Sequence, residues 1–292
     1  MTITSSPAAP LVVVVGSTGN QGGSVIQALA ESDKPYRIRG LTRNVGQPAA
    51  QNLASQGVEM VNVPLTVENM DAVKAAFKGG DIVFFVTNFW EHRIKSREIE
   101  EGKMMVDAAK AASVNLLVWS ALEPIVEISK GKYKHVDHFD AKGDITAYAR
   151  LSGVPLLIVQ AGSYSSNHMR APGLIPTKQP DGSYVFGLPV GPDTVLPVID
   201  TAHDYGLFVR KGIESPEYGA GTEVLASSED ISVREMAVQL GQITGKKITY
   251  KQVSDEEFLA ATGEPPRIAL ELLEMLKFYE EFGCTLLFFN QC

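Results

Sequence analysis

Cysteine is nearly absent from this chain of 292 residues: it has 2, Cys284 and Cys292, both at the extreme C-terminus. They can staple only the tail, which excludes a disulfide framework and points to a reducing compartment. Basic charge is also scarce. Lys and Arg number 26 against 34 Asp and Glu, a net charge of -8, so no face neutralises many phosphates. Duplex nucleic acid and anionic membranes are therefore poor partners. The opening MTITSSPAAP carries no Lys or Arg, and the apolar run at 11–15 that follows is too short for a signal-peptide core or a membrane span. A cytoplasmic protein is expected, with nuclear entry left open.

What remains is an ordinary globular composition, 45% hydrophobic and 21% charged, able to fill a sizeable core. The length suits one large domain or two modest ones. Over the first 160 residues, short β-branched runs at 11–15, 36–41, 58–63, 81–86, 115–119 and 155–160 alternate with helical spacing at 24–30, 70–77, 97–112 and 140–151. The runs are nearly all apolar because helices would cover both faces of a parallel sheet. This is the pattern of an α/β protein with a Rossmann-type doubly wound sheet. Residues 1–160 are expected to form the NAD(P)-binding domain, and residues 161–292 a smaller C-terminal α/β lobe interleaved with it. Between 172 and 197 the chain is rich in Gly and Pro, and continuous regular structure is not expected. Ser232 with Glu235, and Ser254 with Glu257, match capping boxes. They predict helices near 233–243 and 255–261, with a strand at 247–252 between them and a last helix over 266–282.

The loop Gly16, Ser17, Thr18, Gly19, Asn20, Gln21, Gly22 follows the first strand and opens the first helix. Gly16 allows a tight turn, Gly19 lets backbone approach a pyrophosphate, and Gly22 lets the helix pack close to the strand. A bare turn is the alternative reading, and the sheet behind the loop favours a dinucleotide. Thr18, Asn20 and Gln21 join the candidate cofactor contacts, since the amides at that helix start face the anion. After the second strand, where an NAD site usually places a carboxylate, the chain has Arg43. A guanidinium there suits the 2′-phosphate of NADP(H).

These glycines, together with Thr42-Arg43-Asn44, Phe85-Val86-Thr87-Asn88-Phe89-Trp90-Glu91 and His138-Phe139-Asp140-Ala141-Lys142-Gly143, resemble the NmrA-like family of atypical short-chain dehydrogenases over nearly the whole chain. The resemblance implies NADP(H) as cofactor, with Thr87, Asn88, Phe89 and Lys142 among its contacts. It also implies a sensor or regulator, as in the fungal repressor of nitrogen-metabolism transcription, or a reductase, as in the isoflavone-reductase-like branch. The chain departs from the family at Pro64-Leu65, where relatives often carry Gly-Asp, and in its tail from 284 to 292.

Short-chain dehydrogenases move a proton with a Tyr, a Lys four residues later, and a Ser at the end of the fifth strand. Ser120 and Lys142 are candidates here, but none of the 9 tyrosines has Lys four positions on, and His138 holds the family Tyr position. Lys142 then only binds the nicotinamide ribose, or serves as a lone general base, or works with His138 in place of the phenol. His135 and His138 have a spacing that can bind metal, yet the Lys-rich flank at 130–134 marks an exposed loop and no metal site is expected. Glu98, Glu100 and Glu101 read as a solvated helix face. Phe89 and Trp90 are core or crevice lining, and Tyr164, Asn167 and His168 reach a substrate or close the second lobe. The expectation is an NADP(H)-binding regulator with little or no dehydrogenase activity and a regulatory partner protein. An NADPH-dependent reductase of a small carbonyl or aromatic metabolite is the alternative.

Overall fold

The computed structural model describes residues 3–171, 173–216 and 219–283. Cys284, Cys292 and the divergent tail lie outside them. In chain order the first elements are β1 Leu11–Val14, α1 Asn20–Ala30, β2 Arg37–Thr42, α2 Pro48–Ser55, β3 Glu59–Asn62, α3 Met70–Phe77, β4 Ile82–Phe85, α4 Phe89–His92, α5 Lys95–Ala111 and β5 Leu116–Ala121. Next come α6 Ile125–Ile128, α7 Asp137–Leu151, β6 Leu156–Ala161, β7 Ser163–Tyr164, α8 Asn167–Arg170, β8 Thr177–Lys178, β9 Tyr184–Leu188 and β10 Val195–Ile199. The chain continues through α9 Asp204–Glu214, β11 Glu223–Ala226, β12 Glu229–Ser232, α10 Val233–Thr244, β13 Ile248–Gln252, α11 Asp255–Thr262 and α12 Pro266–Phe282.

These elements form two compact units, one from 1–122, 140–161 and 201–226, the other from 123–139, 162–200 and 227–292. The second unit thus takes 123–139 from before the boundary expected at 160, and the first takes back 201–226.

In the first unit, a seven-stranded sheet runs β3-β2-β1-β4-β5-β6-β11 with every pairing parallel. All six expected strands are in it. The seventh, β11, is short and mostly half-buried, which is why its four residues carry no clear period. β1, β4 and β5 are buried along nearly their whole length, as strands covered on both faces must be. Trp119 is fully buried and stacks on Phe85 with ring centroids 4.4 Å apart. On the α1 side the close approach is made by glycine: a Cβ on Gly206 of α9 would stand 2.0 Å from the Ser24 carbonyl oxygen. Ser24 Oγ accepts from the Gly206 amide and donates to the His203 carbonyl, both at 2.8 Å.

The second unit holds two three-stranded sheets, β12-β10-β7 and β13-β9-β8. Both capping boxes are formed, Ser232 with Glu235 and Ser254 with Glu257, at the starts of α10 and α11. Over 173–197 regular structure is interrupted, in line with the Gly- and Pro-rich sequence, and is confined to β8, β9 and the start of β10. Phe186, Leu188 and Leu196 are buried there, and their burial outweighs the turn-forming residues between the strands. Among the described residues, no helix is long and apolar enough to cross a membrane.

Candidate functional site

The glycine loop leaves β1 as its spacing requires. Gly16 sits at φ +66°, where a side chain is strained, and the Gly19 amide donates to the Gly16 carbonyl at 2.9 Å to close the turn. A Cβ on Gly22 would lie 2.2 Å from Gly16 O, so only glycine lets α1 start this close to the strand. Gly19 caps α1 with no side-chain hydrogen bond. This cradle, which a Cβ would fill, fits a pyrophosphate. Side chains tie it to the end of β2: Ser17 Oγ donates to Leu41 O at 2.9 Å, and Gln47 Nε2 donates to Thr18 Oγ1 at 3.0 Å and Thr42 Oγ1 at 3.2 Å. Gln47 had no signal in the sequence beyond its place at the start of α2.

Arg43 follows β2 and is mostly exposed, with its guanidinium paired to the Glu91 carboxylate on α4. A carboxylate is thus present beside Arg43 although the local sequence carries none. Asn88 precedes α4 and is exposed. Phe89 is buried at 3% exposure while Trp90 is 42% exposed, so the aromatic pair divides between core and surface.

Beyond β4 lies a buried charged cluster of the first unit. Lys142 Nζ on α7 donates to Thr87 Oγ1 at 2.7 Å, to Glu98 Oε1 at 3.0 Å and to the Thr87 carbonyl at 3.2 Å. The Thr87 hydroxyl donates to Glu98 Oε1 at 2.5 Å. The ammonium also stands 5.1 Å from the centroid of the Trp119 ring, whose Nε1 donates to Thr146 one turn along α7. Glu98 is only 3% exposed, which corrects the solvated face expected for the run 98–101. Glu100 is exposed and Glu101 is half-buried. Glu98 turns inward because Gly102, one turn on, lets α5 meet α7: a Cβ there would be 2.4 Å from Ile145 Cδ1. Glu98 Oε2 is buried without a hydrogen-bond partner. Ser120 is buried in β5, and strand alternation puts it on the face opposite Trp119, while the bonds of Lys142 go to Thr87 and Glu98.

His138 belongs to the second unit. Its Nδ1 is 2.5 Å from Glu271 Oε1, which also accepts the His138 amide at 2.8 Å, and Glu271 is wholly buried on α12. His135, three residues earlier and ahead of α7, makes the matching contact, Nδ1 to Glu274 Oε1 at 2.6 Å. Lys130, Lys132 and Lys134 are exposed, and among the described residues no group of His, Cys, Asp and Glu could hold a metal ion. Tyr164 and Asn167 are half-buried. His168 is buried against Phe186, and burial lowers its pKa from the usual histidine value by more than a backbone hydrogen bond with Leu174 raises it.

The glycine cradle, Arg43, Thr87 to Phe89 and Lys142 all lie in the first unit, at the carboxyl ends of β1, β2 and β4, where open α/β sheets bind ligands. Solved structures of NmrA, a negative transcriptional regulator, in complex with NAD and with NADP, share this fold. Each has a TM-score of 0.78 at 23% identity, covering 94% of this chain and 82% of that one. The nitrogen metabolite repression protein nmrA of Emericella nidulans is 26% identical, over 91% of this chain and 74% of its own. The NmrA-like family domain-containing oxidoreductase ptmS of Penicillium ochrochloron is 30% identical, over 83% and 76%. The model of the NmrA-like family matches residues 9–286, and this chain belongs to that family.

Proposed function

We propose that this protein binds NADP(H) and acts as a redox-responsive regulator with little or no dehydrogenase turnover, its nucleotide state setting its affinity for a partner protein. The observation that carries this reading is the engagement of Lys142. All three of its N–H donors are directed at Thr87 and Glu98, so an N–H must first give up a carbonyl, hydroxyl or carboxylate acceptor before it can reach a substrate. The other candidate for proton transfer, His138, has its Nδ1 against Glu271. The glycine loop would hold the pyrophosphate and Arg43 the 2′-phosphate, with Thr87 and Lys142 beside the nicotinamide half. When bound, the nicotinamide supplies a hydride donor or acceptor, and its redox state is what a regulator of this kind reads.

Titration calorimetry tests the cofactor: NADPH should bind the wild type, and Gly19→Leu should weaken it by about tenfold or more, because a side chain there blocks close backbone approach. Hydrogen exchange tests the coupling, with altered protection expected in 162–200 and 227–283 on saturation. A ligand that binds two conformations equally shifts neither, so unchanged protection throughout would remove the regulatory half of the proposal.

The reductase reading is favoured by one observation, the buried and unbonded Glu98 Oε2 next to Lys142. It leaves a carboxylate oxygen beside Lys142 with bonding capacity to spare, and the relative ptmS is named an oxidoreductase.

A further inference from the structure

We propose that Glu91 tunes the choice between the two nicotinamide dinucleotides by competing with the 2′-phosphate for Arg43. This rests on the cofactor reading above and concerns a residue to which that reading gives no role. In the sheet, β2 and β4 flank β1 on either side. A bond from Arg43, just after β2, to Glu91 on α4, just after β4, therefore crosses the end of β1, where the glycine loop begins. The pair closes over the place where the sequence puts a guanidinium and lacks a carboxylate.

The side chains of Arg43 and Glu91 are 65% and 36% exposed. An ion pair this accessible to water contributes little to stability, and it exchanges readily for a stronger anion. A 2′-phosphate carries close to two negative charges near neutral pH and offers a guanidinium bidentate contacts, so it takes Arg43 from a single carboxylate. Glu91 then faces the phosphate as a like charge. NAD(H) carries no such group and leaves the pair intact. Buried Phe89 and the approach of His92 Nε2 to Glu101 Oε1, 3.8 Å, hold α4 independently of Arg43. Exchange of partners therefore moves the Glu91 side chain without unfolding the helix. Glu91 weakens NADP(H) binding selectively, and it is a second determinant of specificity besides Arg43.

The test is calorimetric titration of the wild type, Glu91→Gln and Arg43→Ala with NADPH and NADH. Glu91→Gln should tighten NADPH by about two- to fivefold, the worth of an exposed ion pair, and leave NADH unchanged. Arg43→Ala should erase the preference. Weaker NADPH binding in Glu91→Gln would mean that Glu91 positions Arg43 for the phosphate, and an unchanged ratio would mean that it has no part in selection. Either result overturns the proposal while leaving the cofactor reading intact. Failure of the wild type to bind any nucleotide would overturn both.

Discussion

Glu98 Oε1 lies 3.0 Å from Lys142 Nζ, and the Thr87 hydroxyl bonds to both. Glu98 is 3% exposed and Lys142 is 9% exposed, so this is a buried ion pair with a hydroxyl wedged against it. Desolvation opposes such a pair, and good geometry with further hydrogen bonds is what makes it tolerable. The Thr87 contacts and the Trp119 ring supply that compensation for the ammonium.

Removing one partner should therefore cost far more than removing both. Glu98→Gln leaves an uncompensated ammonium in the interior and should destabilise the fold by about 3 kcal/mol or more. Glu98→Gln combined with Lys142→Met should recover most of that loss. Urea denaturation measures both, and a loss for Glu98→Gln below about 1 kcal/mol, the range of exposed pairs, would show that the pair is hydrated rather than buried.

Two glycines separate binding from stability. Gly22→Ala puts a methyl 2.2 Å from Gly16 O and should weaken nucleotide binding by about tenfold or more by displacing the cradle. Gly206→Ala puts one 2.0 Å from Ser24 O, between α1 and α9. It should lower stability by about 2 kcal/mol through overpacking. Calorimetric titration for the first and thermal denaturation for the second would show whether each close approach is as tight as the structure has it.

His168 predicts an acid-sensitive second unit. Burial lowers its pKa below the usual histidine value of 6.5, so below about pH 6.5 the unfolded chain takes up a proton that the folded ring resists. Stability is fully present above that pH and is lost as the pH falls toward the folded-state pKa, at up to about 1.4 kcal/mol per pH unit. Against His168→Leu, wild-type stability should hold a constant offset from pH 8 to 7 and decline below 6.5. Parallel curves down to pH 5 would assign the acid response to other groups.

The parts of this fold that the sequence made legible are those written in local signals. The glycine loop, the first six strands and the two capping boxes each rest on residues within a few positions of one another. Glu98 was not legible, because its partner Lys142 is 44 residues away and its neighbours Glu100 and Glu101 suggested a solvated face. The available signal was its register: Glu98, Gly102 and Met105 share one stripe of α5, and that stripe is buried. Glu271 sits in the same way at i+3 from Ile268 on the buried side of α12. Glu91 stands within the motif at 85–91, yet its meeting with Arg43 depends on strand order, which places β2 and β4 on either side of β1. β11 was missed because a short, half-buried strand at the edge of a sheet has too little pattern to detect.

The most direct measurement of whether the engaged lysine makes this a regulator is NADPH consumption by saturated protein. NADPH absorbance would be followed in rapid mixing with a panel of aldehydes, quinones and enone-type aromatics. The wild type should consume NADPH no faster than a protein-free control, since a positioned proton donor contributes about 10²- to 10⁴-fold in rate and both candidates here are held by carboxylates. Turnover by the wild type of about 1 s⁻¹ or faster on any of these substrates, abolished by Lys142→Ala, would contradict the regulator and establish the reductase.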